Sequence, residues 1–428
     1  MDKINKIAVI GLGYVGLPLA LLAEEKKFDV IGIDASEGRI DQLKKRISPI
    51  DDKDASVRLK KTKIKFSTDF TLVRDVDIAI ICVPTPVHED KKPDLSIVES
   101  ATISTAKHLR ENALLIIEST INPGVCDELL IPIIEEQTKL KVGKNLHFAH
   151  CPERINPGDQ KWHVGNINRV VGANSEEALD LAYAFYSQLI DGEIKKMASL
   201  KEAEAVKIVE NSFRDINIAF VNELAMSFSK LGINVVNVIN GAATKPFAFM
   251  PHFPGIGVGG HCIPVDPYYL IEYAHNNGFE HRFMSLAREI NENMPAYCIE
   301  LVETELEKQK LGDLKGKKVT VLGLSYKPNV GDMRESPATK TIKILKEKGA
   351  EVTTFDPYFV DKSTAKSLDE ALRSAEVVVL ATAHKEFIDA GENIINSGAK
   401  IVMDGRNALY SQAKNINNKV YLGVGVTS

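Results

Sequence analysis

The 428-residue chain has no paired-cysteine motif, no basic arm and no apolar run approaching twenty residues, and each absence removes a class of protein. Its five cysteines, Cys82, Cys126, Cys151, Cys262 and Cys298, lack the C-x-x-C or H-x-x-x-H spacing that holds zinc. No metal is therefore expected, and scattered single thiols fit a reducing compartment. Without a long apolar run or an apolar core in the first ten residues, no membrane span or leader is expected, and the chain reads as cytoplasmic. A net charge of −5, with lysines and acids alternating, argues against nucleic acid as a partner. Tryptophan occurs once; Trp162, like Tyr14, is expected to pack.

What is present is ordinary for a globular enzyme, 44% apolar and 26% charged, at a length that implies two or three domains. The first motif is local. Lys6–Ile10 is a short apolar run, Gly11-Leu12-Gly13-Tyr14-Val15-Gly16 follows at once, Leu17–Lys26 has helical apolar spacing, and Val30–Ile33 ends in Asp34. Strand, glycine turn, helix, strand and acid in this order form a dinucleotide-binding fingerprint. Gly11 permits the turn, Gly13 admits the pyrophosphate, and Gly16 lets helix and sheet pack closely. Asp34, eighteen residues past Gly16, would accept bonds from the adenosine ribose and repel a 2′-phosphate, so NAD is the expected cofactor.

Further buried strands are expected at Asp77–Val83, Leu114–Glu118 and His147–Ala149, with helices between, giving a parallel doubly wound sheet over residues 1–195. Short exits follow these strands at Pro84-Thr85-Pro86, Ser119-Thr120 and Cys151-Pro152-Glu153-Arg154. Lys201–Leu231 reads as one long helix on which Glu204, Lys207, Asn211 and Arg214 share a stripe, facing either solvent or a cleft. From Leu311 a second α/β unit begins: Lys317–Gly323 repeats the strand and glycine, Glu351–Phe355 ends in Asp356, and Val377–Ala381 and Lys400–Met403 add strands. Its glycine motif is degraded to Gly323-Leu324-Ser325-Tyr326-Lys327, which suits a nucleotide-like ligand better than a second dinucleotide. The expected architecture is α/β: two Rossmann-like doubly wound domains, 1–195 and 311–428, joined by a long central helix within a helical domain, 196–310, with a cleft between.

The second motif is Gly257-Val258-Gly259-Gly260-His261-Cys262-Ile263-Pro264-Val265-Asp266. A thiol beside a dinucleotide site permits a covalent acyl intermediate, which would carry an alcohol to a carboxylate. Glycines leave Cys262 accessible and a carboxylate follows four residues on. The other four cysteines are expected to be small core residues.

With these two stretches and Lys327…Asp332-Met333-Arg334-Glu335-Ser336-Pro337 in order, the chain resembles, end to end, the UDP-glucose/GDP-mannose dehydrogenase superfamily of nucleotide-sugar 6-dehydrogenases. The resemblance implies oxidation of C6 of a UDP-sugar to the carboxylate with two NAD⁺, by a homodimer. Pro152-Glu153-Arg154-Ile155-Asn156-Pro157-Gly158 looks like the 2-acetamido-sugar branch, with Pro157 where glucose-type enzymes carry a second acid. Thr244–Pro251 resembles the N-acetylglucosamine type and Glu210–Asp215 the N-acetylmannosamine type; glucosamine is favoured.

By the same resemblance Lys207 lies near C6, as base or as stabiliser of the alkoxide, and Asn211 donates to the developing oxyanion. Asp266, Glu153 and Thr120 are candidates to position or deprotonate the water that hydrolyses the thioester. Val83, Pro84, Thr85 and Thr120 would line the nicotinamide half; Tyr14, Val15, Arg39 and Arg334 complete the cofactor set. Arg154, Arg214, Phe253, Gly255, Gly257, Gly259, His261, Tyr326 and Lys327 are the remaining substrate candidates. Structural alternatives stand beside these: Glu153 as partner of Arg154, Arg334 as partner of Glu335, Asp266 as a turn cap, and His261 as a packing residue. Two rival functions remain, a one-step hydroxyacid-type dehydrogenase with no use for Cys262, and a non-catalytic NAD or nucleotide-sugar sensor.

Overall fold

The computed structural model describes residues 4–88, 92–155, 161–413 and 419–426. The chain divides into two compact units, residues 1–210 with 268–279, and residues 211–267 with 280–428.

The first unit is built on β1 (Lys6–Ile10), β2 (Asp29–Ile33), β3 (Lys65–Ser67), β4 (Ile78–Ile81), β5 (Leu114–Ile117), β6 (His147–His150), β7 (Arg169–Ala173) and β8 (Ile194–Lys196). They form one sheet in the order β3-β2-β1-β4-β5-β6-β7-β8, parallel except that β7 pairs antiparallel with β6. The order reverses between β1 and β4, which in a parallel sheet opens a crevice at the carboxyl ends of the strands. Alternate residues feed two cores: Ile7 and Val9 pack on one face, Ala8 and Ile10 on the other. Helices cover both faces, which is why these strands read as unbroken apolar runs rather than alternating ones.

The helix Leu200–Leu231 has 32 residues, so at 1.5 Å per residue it is about 48 Å long. Its first eleven residues belong to the first unit and the remainder to the second. The second unit carries β9 (Lys318–Leu322), β10 (Glu351–Phe355), β11 (Val377–Leu380), β12 (Ile401–Asp404) and β13 (Val420–Gly423), all parallel, in the order β10-β9-β11-β12-β13. Val319 and Val321 face one core, Leu322, Val378 and Leu380 the other. The fold class is thus the expected one, with β3, β7, β8 and β13 as strands the residue pattern did not announce. Among the described residues no helix is long and apolar enough to cross a membrane.

Candidate functional site

In the first unit the glycine turn has the geometry a dinucleotide requires. Gly11 sits at φ +89°, and a Cβ there would lie 2.8 Å from the Cys82 carbonyl oxygen; a Cβ on Gly16 would lie 1.9 Å from the Gly11 oxygen. Gly13 faces open space, with nothing within 4 Å of a built Cβ. The helix Gly16–Glu25 begins with no side-chain cap at Val15 and no acid in its first turn, so its terminal N–H groups and positive dipole end suit a pyrophosphate. Asp34, buried at the end of β2, accepts from Leu12 N at 2.8 Å, Ser36 N at 2.9 Å and the Arg39 guanidinium at 2.9 Å. A carboxylate offers about four acceptor positions, so one remains for a ribose hydroxyl. The Tyr14 hydroxyl accepts from Asp51 N at 3.4 Å, and its ring packs on the core as expected.

The exits of β4 and β5 are tied together. Thr85 Oγ1 donates to the Thr120 oxygen at 2.6 Å, Ser119 Oγ donates to the Val83 oxygen at 2.7 Å, and the buried Tyr269 hydroxyl donates to the Thr85 oxygen. Val83, Pro84, Thr85 and Thr120 are thereby brought together, held by a tyrosine 184 residues away that the sequence reasoning missed.

Glu153 has a different partner from the structural alternative raised for it. Its carboxylate pairs not with Arg154 but with the fully buried Arg169 at 3.0 Å, which also meets Glu118 at 3.2 Å. Oε1 of Glu153 accepts from the N–H groups of Arg154 and Ile155, both at 2.6 Å. Arg154 instead pairs with Glu210 at 2.5 Å and donates to the Asn168 oxygen. Burial, opposed by Arg169 and assisted by Glu153, pushes the Glu118 carboxyl up to about 7. Asn156, Pro157 and Gly158 lie outside the described residues. Trp162 is exposed, with the Lys161 ammonium 5.3 Å from its ring centroid, contrary to the expected packing.

The helical stripe also divides. Glu204 is buried and caps a helix start, accepting from Gly124 N at 2.6 Å and Cys126 N at 2.8 Å. Lys207 and Asn211 are half-buried, and Arg214 is exposed.

In the second unit the Cys262 segment is shaped by glycines. Gly257 and Gly260 have φ +134° and +95°, and a Cβ on Gly260 would lie 2.8 Å from the Tyr326 ring. Gly260 N donates to the Arg334 oxygen at 3.1 Å, and the Lys327 ammonium stands 5.7 Å from the Tyr326 ring centroid. Gly259, Gly260, Tyr326, Lys327 and Arg334 are therefore neighbours. The Arg334 guanidinium pairs with Asp332 at 2.5 Å rather than with Glu335. Asp266 N donates to the Cys262 oxygen at 2.8 Å, and Asp266 Oδ2 accepts from Asn211 Nδ2 at 2.5 Å. Phe253 and His261 are exposed. The loop between them is held by Asn222, whose Oδ1 accepts from Gly255 N at 2.9 Å, and by Arg406, which donates to the Gly257 oxygen at 3.2 Å.

Cys262 is partly exposed while Cys82, Cys126, Cys151 and Cys298 are buried. Burial raises the thiols of all four, that of Cys151 to about 12, so none is a thiolate near neutrality.

Paired α/β units, the first with an uncapped glycine turn and a buried acid after its second strand, are an architecture that NAD-dependent dehydrogenases use. Residues 5–190, 201–293 and 320–411 match, in turn, the NAD binding, central and UDP binding domains of the UDP-glucose/GDP-mannose dehydrogenase family. The chain belongs to that family and is a nucleotide-sugar dehydrogenase. It is 37% identical to the protein CapL of Staphylococcus aureus, covering 97% of this chain and 99% of that one. It is 35% identical to the UDP-N-acetyl-D-glucosamine 6-dehydrogenase of Pseudomonas aeruginosa, covering 92% and 94%. The solved structure of a UDP-D-ManNAc dehydrogenase from Pyrococcus horikoshii superposes with a TM-score of 0.91 at 37% identity, covering 98% and 99%.

Proposed function

We propose that the protein oxidises C6 of a UDP-2-acetamido-2-deoxyhexose from alcohol to carboxylate, in two oxidations joined by a covalent bond to Cys262. The observation that carries this reading is the contrast among the thiols: four are buried, and the fifth lies in a glycine loop one helical turn before Asp266. NAD⁺, when bound, supplies the hydride acceptor for each oxidation. In the first, Lys207 takes the C6 hydroxyl proton or stabilises the alkoxide that its loss leaves. In the second, the Cys262 thiolate adds to the aldehyde carbon, and Asn211 donates to the resulting oxyanion. Loss of the C6 hydride from that adduct leaves a thioester, which water cleaves, releasing the uronic acid and restoring the thiol. Asp266, which accepts from Asn211, and Glu153, which pairs with Arg169 and accepts from two backbone N–H groups, are the candidates to orient that water. Thr120 is a further candidate for that role by the family resemblance.

Tyr326, Lys327 and the Phe253–Gly257 loop hold the nucleotide sugar. The glucosamine configuration is our first reading, on the Thr244–Pro251 segment. Mannosamine is the second, supported by the Glu210–Asp215 segment and by the P. horikoshii likeness. We propose domain limits of 1–195, 196–310 and 311–428, and a homodimer.

Purified enzyme with a panel of UDP-sugars tests the reading: two NADH per uronic acid are expected with an N-acetylhexosamine, and one NADH per turnover with every sugar would sink it. Cys262→Ala should abolish acid formation while NAD binding persists; uronic acid at the normal rate from that variant removes the nucleophile.

A further inference from the structure

The second unit contains a chain of buried, hydrogen-bonded polar side chains whose direction is fixed. Asp215 and Asn222 lie on the long helix Leu200–Leu231, and Arg288 and Asn291 on the helix Arg282–Lys308. All four are buried. Arg288 donates to Asp215 Oδ1 at 2.6 Å, and Asn291 Nδ2 donates to the Asp215 carboxylate and backbone oxygen, both at 2.9 Å. Asn222 Nδ2 donates to Asn291 Oδ1 at 2.8 Å, and Asn222 Oδ1 accepts from Gly255 N at 2.9 Å.

The amide orientations follow from the two ends. A backbone N–H can only donate, so Asn222 must turn its oxygen to Gly255 and its NH₂ to Asn291. Asn291 must then accept there and donate onward, and a carboxylate and a carbonyl, which only accept, stand ready at Asp215. Flipping either amide would set donor against donor at one junction and acceptor against acceptor at the next. An apolar pair would pack two helices equally well; a one-way relay ending on a loop N–H does something packing cannot. It holds the Gly255 peptide plane in one orientation between Phe253 and Gly257.

We infer that Asn222 and Asn291 are positioning residues for nucleotide-sugar binding, acting through the Gly255 peptide to hold the Phe253–Gly257 loop in its binding shape. This rests on the reading of that loop as a nucleotide-sugar contact. Neither asparagine is a catalytic residue.

The test uses the full-length enzyme, with UDP as the calorimetric probe and the preferred UDP-sugar for kinetics. Asn222→Leu leaves the Gly255 N–H and Asn291 Oδ1 without the bonds they make to Asn222. Asn222→Asp keeps the acceptor for Gly255 and loses the donor, and it serves if the leucine variant does not fold. Both should weaken UDP binding and raise the KM for UDP-sugar, Leu by about ten-fold and Asp by less, with kcat and the KM for NAD nearly unchanged. Thr320→Val, which removes a buried bond to the Ala371 oxygen far from the loop in sequence, is the stability control: it should lower Tm without moving KM. If the Asn222 variants lower Tm but leave UDP affinity and KM at the wild-type values, the inference is overturned. Gly255→Ala, whose Cβ would lie 2.9 Å from Arg406 Nη1, separates the two layers. A KM raised by Gly255→Ala alone overturns the relay and spares the loop; no change in any of the three variants overturns both.

Discussion

The two units build the same turn and use it oppositely. Gly11 and Gly323 have φ +89° and +92°, and each donates its N–H to the end of the neighbouring strand, at 2.8 Å to Ile33 O and 2.9 Å to Phe355 O. The leucine that follows donates to the acid beyond that strand, Leu12 to Asp34 and Leu324 to Asp356. There the likeness stops. In the first unit the helix starts five residues after the glycine, uncapped. In the second it starts fourteen residues after, at Pro337, which has no N–H, and Ser336 caps it. Asp34 keeps an acceptor position and an arginine at its rim. Asp356 Oδ2 receives Leu324 N, Ser325 N, Ser325 Oγ and His384 Nε2 between 2.6 and 3.1 Å, and Tyr358 stacks on His384. A glycine turn is a ligand site only where its donors and acceptors are left unspent by the protein; the second turn spends them on itself and sends the inserted residues, Tyr326 and Lys327 among them, toward Gly259 and Gly260.

The largest expected effect would break the first turn. Gly16→Ala should cost about 3 kcal/mol or more, because the methyl meets a backbone oxygen, and NAD binding should vanish with it. Gly13→Ala, with open space around it, should leave Tm without NAD unchanged and weaken NAD binding by about ten-fold; thermal denaturation with and without NAD⁺ reads both. Next, Asp356→Asn should destabilise the second unit by about 2 kcal/mol, since an amide nitrogen cannot accept the bonds. Burial works against the Asp356 carboxylate, but the bonds from His384, Ser325 and Leu324 prevail and bring it down to about 2. A depressed carboxyl stabilises the fold above its ordinary range near 3.8 and loses that contribution as pH falls through about 2. Acid unfolding of the second unit should therefore flatten in the variant, by denaturation monitored from pH 5 to 2. The smallest effect has the opposite sign. Glu118, raised above the ordinary 4.5, contributes stability that is full below that value and lost as pH rises through about 7. Glu118→Gln should remove this mild dependence in the first unit alone, as read by hydrogen exchange at pH 5 and 8.

What the residue pattern showed plainly was whatever is local. The turn, its strands and the acid are encoded within about thirty residues, and the long helix has an unbroken apolar period, observed at Leu200–Leu231 against an expected Lys201–Leu231. The thiol loop was legible for the same reason. The missed strands are short or polar: Lys65–Ser67 and Ile194–Lys196 have three residues each, and β7 opens on an arginine that reads as surface. Partners distant in sequence were the other loss. Glu153 looks paired with adjacent Arg154, but Arg169, on a strand placed by the sheet, outcompetes it. Glu204 looks like a member of a polar stripe until Gly124 and Cys126 are folded onto it. Composition encodes which groups need partners, and only topology says which ones they get.

The single accessible thiol has a practical corollary. A chromogenic disulfide reagent added to the native enzyme should release colour equivalent to one thiol per polypeptide, and to five after denaturation. The ratio counts competent molecules in any preparation before a substrate has been chosen, and protection by a candidate sugar nucleotide would rank ligands without any turnover at all.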